Sequence, residues 1–258
     1  MTTERGTTTS EAGGVRSVAR AVDVLSLFDR QHPARTLREI VTLTGLPKTT
    51  VVRFLATLES LGLVTTRGES TYTVGPVFLR WVTLADVLWD VSQEARRIMR
   101  DLVDECGETV NLYVRQQNSR VSIAQVEGTT TVRSVVEVGT PYPITGGATA
   151  LVLLGGCPDS FLEELSAGDA SLSHDRLRSE VAGVREAGYA VTHGQRELGA
   201  SAVAAPVFGA DGRILAALSV SGPTPRFTAD RVGNYVETVT AAARELSQVG
   251  LGPVEAFL

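Results

Sequence analysis

Over the first third of the chain the apolar residues recur at helical spacing, and turn-forming residues separate the runs. Val18, Ala21, Val22, Leu25 and Phe28 define an amphipathic helix over about residues 15–29. His32-Pro33 ends it, because proline cannot continue a helix. Thr36-Leu37-Arg38-Glu39 is a capping-box pattern, in which the Thr hydroxyl and the Glu carboxylate take up free N–H groups at a helix start. Leu37, Ile40, Val41 and Leu43 supply the apolar face of this second helix. Gly45 makes a turn, and Pro47 suits the first turn of a third helix, where its missing N–H does no harm. In that third helix Val51, Leu55 and Leu58 share one face, while Thr49, Thr50, Arg53 and Thr57 share roughly the opposite one. Residues 63–67 and 71–74 then flank Gly68-Glu69-Ser70, a two-stranded hairpin signal. Helix, turn, helix and ribbon in this order predict a winged helix-turn-helix, a module that places one helix in the major groove of DNA.

Gly75-Pro76 closes the ribbon, and residues 77–106 read as one long helix. Its first half is crowded with Phe78, Leu79, Trp81, Val82, Leu84, Val87, Leu88 and Trp89. A helix this apolar predicts burial on several sides, either within its own subunit or also against a second one. Beyond Gly107 the period falls to two, with strands over 108–116, 120–127 and 131–139. Residues 144–156 read as a small-residue loop running into an apolar helix, and 159–167 and 173–187 as helices. Residues 201–223 give two strands around Asp211-Gly212, the best hairpin signal in the chain, and 229–249 a terminal amphipathic helix. Strand runs flanked by helices predict an α+β fold with an antiparallel sheet.

Composition narrows the function classes. A hydrophobic fraction of 43% over 258 residues rules out general disorder. No apolar run reaches the ~18 residues that a membrane helix needs. The opening MTTERGTTTSEAGG lacks a signal-peptide core and reads as a disordered arm over 1–14, so no membrane and a cytoplasmic location are expected. Cys106 and Cys157 lie far apart without C-x-x-C spacing, and His32, His174 and His193 show no ligand spacing. Neither a metal nor a cofactor is expected.

The net charge of −5 is at odds with DNA binding until its distribution is considered. Residues 1–75 hold nine Lys+Arg against seven Asp+Glu, and residues 76–258 hold fifteen against twenty-two. A basic head on an acidic body confines DNA contact to the N-terminal part. The candidate contacts are Arg16 and Arg20 near the start of the first helix, Lys48, Thr49, Thr50 and Arg53 on the third, and Arg67 at the hairpin. Short hydroxyls and an arginine on one helix face can approach base edges and phosphates closely.

A second candidate site lies in the C-terminal part. Thr145-Gly146-Gly147-Ala148 precedes the apolar helix, where free N–H groups favour an anion and glycine permits close approach. Ser219 and Ser221 alternate by two on a strand, so both hydroxyls face one side. Together these groups could grip a carboxylate without any basic residue. The simpler alternative is a Gly-Gly packing turn, with serines that satisfy local backbone. No Gly-Lys-Ser/Thr follows, so this is not a Walker loop. A hydrolase built on Ser219 or Ser221 with His193 would lack the G-x-S-x-G elbow. The remaining alternative is a small-molecule sensor without DNA function.

The words SVARAVDVLSLF, TLREIVTLTGLPKTTVVRFLATLESLGLV, TYTVG, GETVNLYVR, GTPYPITGGATALVLL, AGYAVTHG and VAAPVFGADGRILAALSVSGP occur in this order. With them the chain resembles the IclR family of bacterial transcription regulators over nearly its whole length. The resemblance implies a winged helix-turn-helix domain at 15–75, a linker helix at 76–90 and a GAF-like effector-binding domain at 91–258. It implies a double-stranded DNA operator and a small organic acid as partners, with self-association as a dimer or tetramer. The family's P-L-H-A-T-A-x-G-K-A stands here as PITGGATALV from Pro143 to Val152, without its His and Lys. A frequent cysteine is Ala202 and a usual acid is Thr192, while Ser-x-Ser survives as Ser219 and Ser221. These departures imply a less polar pocket around Thr145, Gly146, Gly147, Ala148, Thr192, Ala202, Ser219 and Ser221, and a ligand unlike the family's usual small keto acids.

Overall fold

The capping pattern at Thr36 folds as its sequence reads. A computed structural model describes residues 15–68, 70–169 and 171–258, and the expected arm at 1–14 lies outside them. The chain divides into two units, one reaching Asp86 and the other spanning Val87–Leu258. The first holds α1 (Arg16–Leu25), β1 (Ala34–Thr36), α2 (Leu37–Thr44), α3 (Lys48–Ser60), β2 (Val64–Thr66) and β3 (Thr71–Val74). The Thr36 N–H donates to Glu39 Oε2 at 2.7 Å, and the Glu39 N–H donates to Thr36 Oγ1 at 3.3 Å. Gly45 ends α2 at φ 64°, a left-handed position that glycine adopts without strain. Val24, Ile40, Val51, Leu55, Leu58 and Val64 form the core. Ile40, Val51, Leu55 and Leu58 lie where the helical spacing predicts, whereas on the first helix Val24 is buried and the expected Val18 and Val22 are exposed.

Three further details differ from the sequence expectation. Helix α1 stops at Leu25 rather than near 29, because the Asp29 carboxylate accepts the N–H groups of Gln31 and His32 and holds a turn there. Leu43 faces solvent rather than the core. The ribbon has three strands, in the order β1-β3-β2, with Ala34 opposite Thr73 and Thr36 opposite Thr71.

The long helix expected at 77–106 is two helices, α4 (Phe78–Leu88) and α5 (Gln93–Cys106). Ser92 starts the second afresh: its hydroxyl accepts the Ala95 N–H at 3.0 Å, and its own N–H donates to the Leu251 carbonyl. Helix α4 buries no residue within the chain, and Leu79 and Trp81 are 71% and 56% exposed. Burial of this helix within its own subunit is therefore not observed.

The second unit continues with β4 (Thr109–Gln116), β5 (Ser119–Val126), β6 (Pro141–Pro143), α6 (Ala148–Gly155), α7 (Asp159–Gly168) and α8 (His174–Ala187). It ends with β7 (Ala190–His193), β8 (Ala200–Phe208), β9 (Ile214–Pro223) and α9 (Ala229–Val249). The six strands form an antiparallel sheet in the order β6-β5-β4-β9-β8-β7. Side chains alternate between its faces. Leu112, Val114, Val203, Leu218 and Val220 meet Met99 and Leu102 of α5 and Val239 and Leu246 of α9. Tyr113, Ala204 and Ala217 meet Leu151 and Leu154 of α6, with Leu162 of α7 and Val181 of α8. The α+β class expected from the alternating runs is observed, with helices on both faces of the sheet.

Residues 131–139 are not the expected strand. Val132, Val135 and Val138 are exposed, and the segment is tied to β5 by the Val136 N–H on Gln125 Oε1 and the Gly139 N–H on the Ser122 carbonyl. At the start of β4, Glu108 is buried and accepts two bonds from Arg226, at 2.5 and 2.6 Å. Among the described residues no helix is long and apolar enough to cross a membrane.

Candidate functional site

In the first unit, α3 carries its apolar residues inward and its polar ones outward. Lys48, Thr49 and Arg53 are exposed and Thr50 is half-buried, so the four sequence candidates on this helix are all at least partly accessible. Among the described residues no ion pair engages Lys48, Arg53 or Arg67, which leaves their charges available to phosphate. Glu59, on the far end of α3, accepts the Thr66 N–H at 3.1 Å and the Thr66 hydroxyl at 2.6 Å, fastening the helix to β2. Arg67 is exposed at the end of β2, where its N–H donates to the Thr71 carbonyl. Arg16 and Arg20 are exposed on α1. A helix that exposes two cations and the Thr49 hydroxyl, with Thr50 half-buried, followed by a hairpin with a third cation, has the parts needed to enter a groove and anchor on its walls.

In the second unit a small cavity of about 30 Å³ opens at the start of α6, room for little more than a water molecule. Gly147, Ala148, Thr192, Ala202, Ser219 and Ser221 all line it, so six of the eight sequence candidates converge. The registers explain why: Thr192 lies opposite Ala202 and Ser221 opposite Ala202 on the other side, all on the α6 side of the sheet. Thr145 and Gly146 stand just before the helix and do not line the cavity. Gly147 caps α6 at φ 93° and ψ 161°, a backbone region essentially restricted to glycine.

Two of the N–H groups at this helix start are engaged. Gly147 N–H donates to Gln195 Oε1 at 3.2 Å, and Ala148 N–H donates to Thr192 Oγ1 at 3.0 Å. The Ser219 hydroxyl donates to the Asn111 carbonyl at 3.5 Å. The expected arrangement of bare amides facing two idle hydroxyls is therefore already satisfied from within.

The sequence reading also missed two arginines. Arg120 of β5 and Arg196, in the connection between β7 and β8, both line the cavity, together with Tyr113, Thr149, Ala200 and Ser201. The site is thus cationic, not free of basic residues. Arg120 is 2% exposed, and its Nη1 donates to the Gly146 carbonyl. Its guanidinium lies 5.8 Å from the centre of the Tyr113 ring. Burial, reinforced by the neighbouring Arg196 charge, lowers its pKa to about 10 against the opposing pull of Tyr113. Burial raises that of Tyr113, so both stay in their ordinary protonation states at neutral pH. The available signal was parity: Arg120 and Ser122 alternate with Val121 and Ile123, a pattern that reads as a solvent face, yet both polar residues are buried.

A hydrolytic triad is not assembled. His193 Nδ1 lies 2.8 Å from the Ser201 hydroxyl, which itself donates to Thr224 Oγ1, and among the described residues neither Ser219 nor Ser221 has a histidine partner.

Comparison with known proteins finds matches in both parts of the chain. The IclR helix-turn-helix domain matches residues 17–68, and the domain described as bacterial transcriptional regulator IclR C-terminal matches residues 86–248. The HTH-type transcriptional regulator KipR of Bacillus subtilis is 31% identical over 90% of this chain and 96% of its own length. An IclR-family structure from Rhodococcus sp. is 45% identical, covers 97% of this chain and 99% of its own, and superposes with a TM-score of 0.63. An IclR homolog from Microbacterium hydrocarbonoxydans, complexed with 4-hydroxybenzoate, shares the fold at a TM-score of 0.70 and 22% identity, over 93% of this chain and 99% of that one.

Proposed function

Because the chain belongs to the IclR family of bacterial transcriptional regulators, with a helix-turn-helix domain and an effector-binding C-terminal domain, we propose that a small carboxylate taken up at the start of α6 sets its affinity for an operator. The observation that carries this reading is the convergence of Gly147, Ala148, Thr192, Ala202, Ser219 and Ser221 on one cavity beside a buried arginine. The complex of the Microbacterium hydrocarbonoxydans homolog with 4-hydroxybenzoate supports an aromatic acid as one class of candidate. A molecule of that size exceeds the present cavity, so its entry requires the connection between β7 and β8 to move.

On the DNA side, Arg53 and Thr50 read bases, while Lys48, Thr49, Arg16, Arg20 and Arg67 hold phosphates. The division of labour is residues 15–75 for DNA, 76–90 as linker and 91–258 for the effector, and the protein works in the cytoplasm. One such head contacts too short a site for a long operator, so the active species is a dimer or tetramer. The exposed apolar residues of α4, among them Leu79, Trp81 and Leu84, support a self-association surface there. Selection of double-stranded DNA from a random pool tests this reading: a symmetric paired half-site should be enriched, and recovery of unpatterned DNA would refute it.

A further inference from the structure

The electrostatics of the pocket are unfavourable for the protein alone. A guanidinium carries five N–H donors and cannot shed its charge near neutrality. Among the described residues Arg120 has one acceptor, the Gly146 carbonyl, and its Nε is buried without a partner. Among the described residues no carboxylate lines the cavity and none pairs with Arg120, whereas Glu108 and Arg226 in the same unit show how this fold treats a buried charge when structure is the purpose. An unpaired buried charge is among the costliest features a folded chain can carry.

The surroundings sharpen this. The guanidinium is pressed on Gly147: Nη1 and Nη2 both lie 3.4 Å from where a Cβ of that residue would stand. It therefore sits at the N-terminus of α6, the positive end of the helix dipole, and shares the cavity with a second cation, Arg196. Three sources of positive potential converge on a space lined by no negative group. Two neutral oxygens, Gln195 Oε1 and Thr192 Oγ1, occupy the N–H groups of Gly147 and Ala148, two of those that an anion could use.

We propose that Arg120 is the anion receptor of this pocket, selecting a carboxylate over its neutral analogues, and that the bound carboxylate displaces the Gln195 side chain from the Gly147 N–H. The inference rests on the effector reading given above and assigns its charge selectivity to one residue. A carboxylate matches the guanidinium fork in two parallel bonds, which a neutral amide cannot do because it presents one oxygen beside an N–H₂ group. Arg196 assists by its charge; it is less committed to the cavity, since it also donates to the Ser134 hydroxyl at 3.1 Å and lies near the exposed Glu197.

The test uses the full chain, with acetate, benzoate and 4-hydroxybenzoate as probes, each beside its own amide, followed by isothermal titration. At least one acid should bind the wild type with its amide at least tenfold weaker. Arg120→Gln should weaken that acid by about thirtyfold or more and abolish the preference, and Arg120→Lys should restore part of it. Without ligand, Arg120→Gln should melt at or above the wild-type temperature, because an uncompensated charge has been removed. Acid and amide binding equally to the wild type, or acid affinity surviving in Arg120→Gln, would overturn the receptor while leaving the pocket in place. A clear fall in the ligand-free melting temperature of Arg120→Gln would make the arginine structural and overturn it as well. Binding of neither acids nor amides would overturn the effector reading itself.

Discussion

Adding a single methyl group at Gly147 tests the geometry on which the ligand site depends. Its φ of 93° and ψ of 161° place the backbone in a region that side-chain-bearing residues essentially do not enter. Forcing alanine there costs about 1–3 kcal/mol. The new Cβ would meet Arg120 Nη1 and Nη2 at 3.4 Å, an ordinary contact, so the backbone rather than a clash dominates the cost. For a domain of this size each kcal/mol moves the midpoint by about 2–4 °C, so a central value of about 2 kcal/mol lowers the Tm of the second unit by about 4–8 °C. Gly146→Ala is the control: that residue lies outside the left-handed region and its Cβ would meet only the Gln195 carbonyl oxygen, at 3.6 Å. It should stay within about 1 kcal/mol of wild type. Calorimetry of the full chain separates the transition of the second unit from that of the first. A Gly147→Ala protein as stable as wild type, or a Gly146→Ala protein that falls equally, would refute the assigned cradle.

Three further outcomes follow. Arg53→Ala should cost about 1–3 kcal/mol on the selected DNA and less on random DNA, as measured by fluorescence anisotropy; equal losses on both would make Arg53 a phosphate anchor. Arg226→Ala should destabilise the second unit by about 3–5 kcal/mol in urea unfolding, because it strands the buried Glu108 carboxylate, and a loss below about 1 kcal/mol would show that water reaches Glu108. Light scattering at micromolar concentration should give a dimer or larger for wild type and a smaller species for Leu79→Glu with Trp81→Glu; a wild-type monomer, with or without DNA, would remove α4 from any interface.

Much of this architecture is written in short-range chemistry. The box at Thr36 and Glu39, the left-handed Gly45 and the turn around Asp211-Gly212 each act over a few residues, and each lies where the chain's local pattern puts it. The failures share a different cause. Strand β1 is three residues long and exists because β3, far along the chain, pairs with it. The interruption between α4 and α5 depends on Ser92 donating to Leu251, a residue near the other end of the second unit. In the run 131–139 Val136 alone reaches the core, while Val132, Val135 and Val138 stay exposed. The site was legible only in part for the same reason. Gly147 and the paired serines announce themselves by backbone freedom and period, whereas Arg120 looks like any polar residue of an amphipathic strand until both faces of the sheet are seen to be covered.

Occupancy of the pocket at α6 is proposed to change DNA binding by α3. The most direct test is the affinity of the full chain for its selected operator duplex, measured by fluorescence anisotropy at one fixed salt concentration, with and without saturating acid probe. A coupling of about 1–3 kcal/mol predicts a change of about 5–150-fold, and the same factor should appear in the affinity for the acid when operator is present. Identical operator affinity under saturating acid would contradict the claim.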